Sequence, residues 1–497
     1  METLNYMDPK QRRRQFTRLM TGYVLVGCAV LLMSLVLLFV AYGYGYKNGQ
    51  VIQNGLVFLS STPHPAQVYV DGKLSPSATN TRLTLQAGAH SINLKRTGYR
   101  DWQRSVVVSG GIVSSYTYPF LFPSSLTTNT RQTYATAPQL VTQSLDRRWL
   151  LVAHPGSIAS YDMYDLSNPK QEPVVLAIPA GLLATGTSQS MAAIAWAGDN
   201  THLLLKHTYD DGKVEYILVN RTAAEQSVNL TKALTLPTAN IDLRLSNAKY
   251  DQYLVFDTAA HTVARASLGE PQAVPYLTNI LAFDAYGSSV VLYATPDPAD
   301  QAKVDINYAD GNNTYTIRRA AVGTTYLLKL DSYGGNMYVA MAAASESIAY
   351  VYQNPAAQIA NQHLGVAVPA DVFSITSPDY ISSSPSSQYI AFEHGANFVV
   401  YDAENQQGFT YMVPAGMDSP QTHATWMDGA HLAYVSNGQL TVFDNDGQNR
   451  QTLVSADAAY LPFFDPNYKF VYTLESSASN KANELLASTS LRTPADQ

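Results

Sequence analysis

The sequence predicts an all-β ectodomain held behind one N-terminal transmembrane α-helix. Three observations predict it. A single long charge-free apolar run lies near the N-terminus, tyrosines are abundant at 34, and a short strand-turn-strand phrase recurs through most of the remaining chain.

The apolar run reads from Tyr23 to Ala41 without a charge. About 19 residues make roughly 28 Å of helix, the thickness of a bilayer's hydrocarbon core. Lys10, Arg12, Arg13, Arg14 and Arg18 precede it, whereas only Lys47 follows before Lys73. Positive flanks stay in the cytoplasm, so the expected topology puts the N-terminus inside and the chain from Lys47 onward outside. The expected segments are a basic cytoplasmic tail over 1–18 and an anchor over 19–46. Tyr42, Tyr44 and Tyr46 suit an aromatic belt at the outer headgroups, with Gly43 and Gly45 keeping the exit flexible. A cleaved signal peptide is the competing reading. Its apolar core would be shorter, and Ala41-Tyr42-Gly43 is a poor cleavage site. So close to a span, the basic cluster reads as a topology determinant rather than a nucleic-acid patch.

Residues 1–18 hold five basic and two acidic groups, which leaves a net −10 on the rest of a chain whose total is −7. An acidic exterior argues against nucleic acid or anionic lipid as the ectodomain's main partner. The lone cysteine, Cys28, lies within the apolar run. The ectodomain therefore has neither disulfides nor thiolate metal sites, which favours a prokaryotic envelope.

Residues 55–123 read as a small β-sandwich. Leu56–Leu59 is followed by the turn Thr62-Pro63-His64-Pro65-Ala66 and the alternating strand Gln67–Val70. Asp71-Gly72 then supplies the positive φ angles of a tight hairpin. Leu83–Leu85, the turn Ala87-Gly88-Ala89 and His90–Leu94 read as a second hairpin, and Gly98-Tyr99 leads into Trp102 and Val106–Val108. Ser61, Pro63, Ala66, Val68-Tyr69-Val70-Asp71-Gly72, Ala87-Gly88-Ala89-His90 and Gly98-Tyr99 together resemble the PEGA domain. Two places depart from that pattern: Pro63-His64-Pro65-Ala66 stands for the signature tetrapeptide, and Ser75–Thr81 replaces the usual Gly-x-Thr-Pro. The resemblance implies a prokaryotic envelope or surface protein and no catalysis.

A Ser-, Thr-, Asn- and Pro-rich linker is expected over 124–139. Over 140–490 a polar turn, an apolar strand, a gap and a strand ending in Asp or Asn recur. Ser384–Asp402 and Met427–Asp444 are the clearest copies; others begin at Leu145, Trp196 and Ser246, with weaker ones near Phe283, Leu330 and Phe464. Their spacing fits a four-stranded propeller blade. Such a blade covers its apolar faces only by stacking on neighbours in a closed ring. The phrase is similar to TolB-like and WD40-like propeller repeats, although no copy keeps all of Ser-Pro-Asp-Gly and the Trp-Asp dipeptide is absent. Eight blades are expected, with seven as the alternative, followed by a disordered tail over 491–497.

Catalytic signatures are sparse. Neither HExxH nor GxSxG occurs, so zinc-hydrolase and nucleophile-elbow readings lack their motif. Ser167–Lys170 and Ser246–Lys249 match SxxK by spacing alone. Asp444-Asn445-Asp446-Gly447 imitates a calcium loop, but the twelfth position is Ser455, so a β-turn explains it better. Asp210-Asp211-Gly212 and Asp310-Gly311-Asn312 read as hairpin turns. His202 and His207 flank one strand and read as pairing residues. No catalytic, cofactor-binding or metal-binding residue and no cofactor is assigned. The expected function is a membrane-anchored surface binding or scaffolding protein whose propeller recognises a protein, peptide or glycan. The alternative is a tethered propeller hydrolase acting on glycans or lactones.

Overall fold

The computed structural model describes residues 9–41, 43–47, 50–311, 313–323, 325–362, 365–413, 423–477 and 483–496. Two compact units divide the chain, 1–124 together with Asp496, and 125–495.

The first unit begins with α1 (Pro9–Ala41), about 50 Å long at 1.5 Å per residue. The basic residues Lys10, Arg12, Arg13, Arg14 and Arg18 occupy its first turns and the apolar run completes it. It is the one helix among the described residues that is long and apolar enough to cross a membrane. The anchor was expected to reach residue 46 through a flexible exit. Instead Gly43 turns the chain and β1 (Tyr44–Lys47) pairs with β2 (Gln50–Leu59), with Gly45 opposite Ile52 in the ladder. Tyr42 and the Tyr46 side chain lie outside the described residues.

The sandwich comprises two four-stranded sheets. In one, β2 pairs antiparallel with β5 (Thr81–Gln86) and parallel with β8 (Val113–Tyr116). In the other, the order is β4 (Lys73–Leu74), β3 (Gln67–Val70), β6 (Gly88–Lys95) and β7 (Trp102–Val108). The Asp71-Gly72 hairpin forms as read, with φ of 50° and 77°. The second hairpin does not. β5 and β6 belong to different sheets, so Ala87–Ala89 carries the chain from one layer to the other. Turn residues announced a reversal, but burial on both inner faces decided which partner each strand took. Val57, Leu59, Val68, Ile92, Leu94, Trp102 and Val106 fill the space between the layers.

The second unit is a succession of four-stranded antiparallel sheets, eight among the described residues. In chain order they span 141–177, 190–229, 241–277, 282–321, 326–374, 380–412, 425–455 and 463–490. Every recurring phrase leads into the second strand of one sheet, for example Tyr389–His394 and His431–Ser436. Apolar clusters join successive sheets: first to second, second to third, third to fourth, fourth to fifth and fifth to sixth. Phe398 of the sixth meets Phe443 of the seventh edge-on at 5.6 Å. Asp457, just after the seventh, donates its N–H to Leu474 of the eighth. One more cluster (Leu150, Val152 and Tyr164 with Phe463, Tyr472 and Leu486) joins the last sheet to the first and closes the ring.

Closure overturns one boundary. The expected linker holds β9 (Thr127–Tyr134), the fourth strand of the last sheet, paired with Glu484–Ser490. Its sequence, TTNTRQTY, is polar because only Tyr134 is buried, which is why it read as a connector. Tyr134 donates to Asp162 at 3.0 Å and lies 2.9 Å from the Tyr164 hydroxyl. Arg147 adds a second lock. Its guanidinium donates to the carbonyls of Trp426 and Met427 and lies over the Tyr468 ring, tying the first, seventh and eighth sheets. The expected disordered tail is partly packed: Leu491 and Arg492 are buried.

Candidate functional site

The PEGA-motif residues hold the sandwich together. Ala66 is buried and its N–H donates to the Thr79 hydroxyl at 2.8 Å, while Ser61 lies 2.7 Å from the same hydroxyl. Asp71 accepts from the Ser91 N–H at 2.9 Å and holds His90 Nδ1 at 2.8 Å. The hairpin tip is thereby fixed to β6. Gly98 takes φ 81° and accepts from Ser124, next to the buried Tyr99. Pro63 accepts from Ser61 at its carbonyl, and Gly88 takes φ 140° at the crossing between layers. Within the same unit, Asp496 accepts from Arg96 and from the Tyr99 hydroxyl.

In the ring, most histidines are bound to a carboxylate of their own sheet. His154 meets Asp162 at 2.6 Å and His202 meets Asp199 at 2.6 Å, while His394 meets Asp379 at 3.0 Å. His431, buried in the seventh sheet, lies 2.8 Å from Asp428 and 3.4 Å from Asp444. Burial lowers its pKa, but the two carboxylates outweigh burial and push it up to about 10. His207 is fully buried between Glu215 at 2.8 Å and Gln189 at 3.0 Å. His363 lies outside the described residues. The turns at Asp210–Gly212 and Asp444–Gly447 connect adjacent strands, as expected; Asn312 of the third such turn is outside the described residues. Among the described residues no group of three or more His, Cys, Asp or Glu side chains is placed to hold a metal ion.

Three buried or half-buried glutamates hold a connecting segment or a strand end through its backbone N–H. Glu215 accepts from the Ala184 N–H at 2.6 Å, Glu346 from Ala321 at 2.7 Å and Glu393 from Ala424 at 2.9 Å. Glu215 is satisfied on both oxygens, since Asn229 donates at 2.7 Å to the second. Burial raises its pKa, but those hydrogen bonds prevail and hold it below the usual carboxylate range.

Glu393 differs, and it marks the candidate site. It is 0% exposed near the end of Tyr389–His394, and its Oε1 has no hydrogen-bond partner among the described residues. Burial pushes its carboxyl up to about 8, the Ala424 N–H opposes that rise, and the charge of Asp379 adds to it. At pH 7 it is therefore largely protonated. Tyr411, whose charge state Glu393 also influences, stacks on Phe398 at 5.5 Å and has a hydroxyl without a partner among the described residues. Burial drives its phenol well above the usual range. His423 stacks on Tyr380 at 4.0 Å, nearly parallel, and its Nδ1 is unpartnered among the described residues. Burial lowers the His423 pKa, against the charge of Asp379. A neutral carboxyl, two phenols and a neutral imidazole thus gather where the sixth and seventh sheets meet. The unpartnered atoms of the set are buried, so a polar ligand would reach their hydrogen bonds only by entering the seam between the sheets. The set also supplies one proton donor, half of what glycoside cleavage needs.

Sequence reading missed this site. In sequence Glu393 is one more polar residue after the apolar run Tyr389–Phe392, and only the packing of its neighbours buries it. Exposed aliphatics of the ring lie one or two to a sheet on outermost strands, as Val174, Val175, Val274, Val372 and Met412 do, or in connecting segments, as Leu145, Leu281, Val322, Val366, Val368 and Leu461 do. That is ordinary protein surface.

Residues 54–120 match the PEGA domain family. No match is found among curated proteins. Solved structures similar to the chain include the Myceliophteria thermophila Cps50 (Swd1) β-propeller domain, at 13% identity and TM-score 0.37, covering 67% of this chain and 100% of that one. An oligogalacturonate lyase from Vibrio parahaemolyticus shows 11% identity and TM-score 0.37, covering 75% and 100%. A prolyl endopeptidase structure shows 12% identity and TM-score 0.42, covering 70% and 53%. These likenesses are distant, and the ring stands on its own sheet topology. The chain carries a PEGA domain followed by a β-propeller behind an N-terminal apolar helix.

Proposed function

We propose that this protein is a cell-surface binding or scaffolding protein, anchored by α1 with its N-terminus in the cytoplasm, whose propeller recognises an envelope protein, peptide or glycan. The observation that supports it most is the use to which the ring puts its polar groups. Histidines and carboxylates hold turns and connections together, and the unsatisfied set at Glu393, Tyr411 and His423 is neutral at pH 7. Neutral donors and acceptors read a ligand's hydrogen-bonding groups at a lower desolvation cost than charged ones do. Fixing such a module to a membrane raises its local concentration near surface partners. Micromolar affinity, roughly −8 kcal/mol, is then enough.

The raised pKa of Glu393 is the one observation that favours the hydrolase alternative, since catalytic acids are tuned this way. One experiment separates the two. The purified protein is screened against glycoside, ester, lactone and peptide substrates, and in parallel for saturable retention of envelope components. The binding reading expects retention that weakens in Glu393→Gln or Tyr411→Phe, with no turnover. Saturable turnover that survives repurification and disappears in Glu393→Gln would replace binding with hydrolysis.

A further inference from the structure

We propose that the turn Ser109–Val113 of the PEGA domain is a lipid contact, with Ile112 and Val113 resting in the headgroup boundary where α1 leaves the membrane. The inference rests on reading α1 as a membrane span.

Position comes first. The Gly43 N–H donates to Val40 at the end of α1, and the Gly43 carbonyl accepts from Asn54 at 2.7 Å. The Asn54 carbonyl in turn accepts from Gly111 at 2.9 Å. Two strand spacings, about 10 Å, therefore separate the turn from the helix exit. The headgroup layer on each side of the hydrocarbon is roughly 5–8 Å deep, so from a turn at that distance it is the side chains of Ile112 and Val113 that reach back into it.

Rigidity comes second. A Cβ on Gly55 would lie 2.5 Å from the Ser109 carbonyl oxygen, and one on Gly110 would lie 2.8 Å from the Gln53 Cβ. The Ile112 carbonyl accepts from Leu56 at 3.0 Å. The missing side chains let the turn press against β2 immediately beyond the hairpin that follows α1, so it is presented in one orientation.

Chemistry comes third. Ile112 is 56% exposed and Val113 58%. Val113 pairs with Leu56, and Val57 and Leu59 fill the core, so Leu56, Phe58 and Val113 share the outward face. Exposed Phe58 lies farther along the same outward face, opposite Arg82. No charged residue occurs from Ser105 to Thr130, so docking this region on lipid strips water from no charge of its own. Aliphatic side chains on an uncharged, rigid turn beside a span are suited to the boundary between headgroups and acyl chains. The occupant assigned is the bilayer, because the surface is continuous with the end of the helix that crosses it.

The test uses the full-length protein in phosphatidylcholine vesicles brominated either near the headgroup or at mid-chain. In a Cys28→Ser background, an environment-sensitive fluorophore is placed at Ile112→Cys, Val113→Cys, Leu31→Cys in α1, or Thr97→Cys at the opposite end of β6. The expected result is a blue shift and loss of emission at positions 112 and 113 with shallow bromine. Loss at 31 should come with mid-chain bromine, and position 97 should lose emission with neither. Two reporters guard against a label that disturbs the turn. Quenching at 31 without quenching at 112 or 113 overturns the inference and leaves the span intact. A blue shift at 112 and 113 without bromine quenching also overturns it, because protein then covers the turn. Absence of quenching at 31 removes the span reading and the inference with it.

Discussion

Replacing Glu393 by glutamine should stabilise the propeller at neutral and alkaline pH and leave it nearly unchanged in mild acid. Glu393 is fully buried, one carboxylate oxygen has no partner among the described residues, and the group titrates near 8 rather than at its ordinary 4.5. The sign follows from linkage. A folded-state pKa above the unfolded one means that the folded protein binds the proton more tightly. That contribution is fully present below pH 4.5 and is lost as pH rises through 8. Glutamine keeps an oxygen for the Ala424 N–H and never ionises. A displacement from 4.5 to about 8, at 1.36 kcal/mol per unit, makes the ionised glutamate on the order of 3–5 kcal/mol less favourable than the neutral side chain at pH 9. For a unit of this size that is about 5 °C in Tm. The assay is a pair of thermal melts, wild type and Glu393→Gln, at pH 5, 7 and 9, read as the difference between the two proteins so that other titrations cancel. The difference should grow from near zero to several degrees in favour of the variant. A difference that stays flat across pH, or a variant less stable at pH 9, would refute the buried neutral carboxyl.

His431 follows the same sign in a higher pH window. It carries a proton between Asp428 and Asp444 and titrates near 10 rather than at its ordinary 6.5, so its contribution is full below pH 6.5 and is lost progressively as pH rises from there through 10. His431→Gln leaves the buried Asp444 and the half-buried Asp428 without their shared cation and should cost about 3–5 kcal/mol at pH 7, measured by urea unfolding. Deleting Thr127–Tyr134 should open the ring at its last sheet, exposing the edge of Glu484–Ser490; aggregation by light scattering is expected, and a monomeric variant with unchanged Tm would argue against strand closure. Topology is tested in intact cells with Cys28→Ser. A membrane-impermeant maleimide should label Ser77→Cys but not Asn5→Cys, and the reverse pattern would invert the protein in the membrane.

The primary sequence alone determined the features that depend on neighbours along the chain. A charge-free apolar run dictates a helix of membrane length, because its backbone can satisfy itself only internally in lipid. Asp71-Gly72 dictates a hairpin, because both residues tolerate positive φ. The repeated turn-strand phrase exposed the array of sheets, because each sheet reuses the same turn before its second strand. Tertiary structure alone decided which distant segments meet. Ala87–Ala89 carries turn residues whether the chain folds back or crosses to the other layer, and burial of Val57 and Ile92 on facing layers selected the crossing. Thr127–Tyr134 is too polar to read as a strand, yet the unpaired edge of Glu484–Ser490 requires a partner and β9 supplies it. Glu393 carries no local mark of its environment. Its neutrality arises from burial, helped by the charge of Asp379 and opposed by the Ala424 N–H, and neither residue is adjacent to it in sequence, because desolvation is a property of the packed interior and not of the residue.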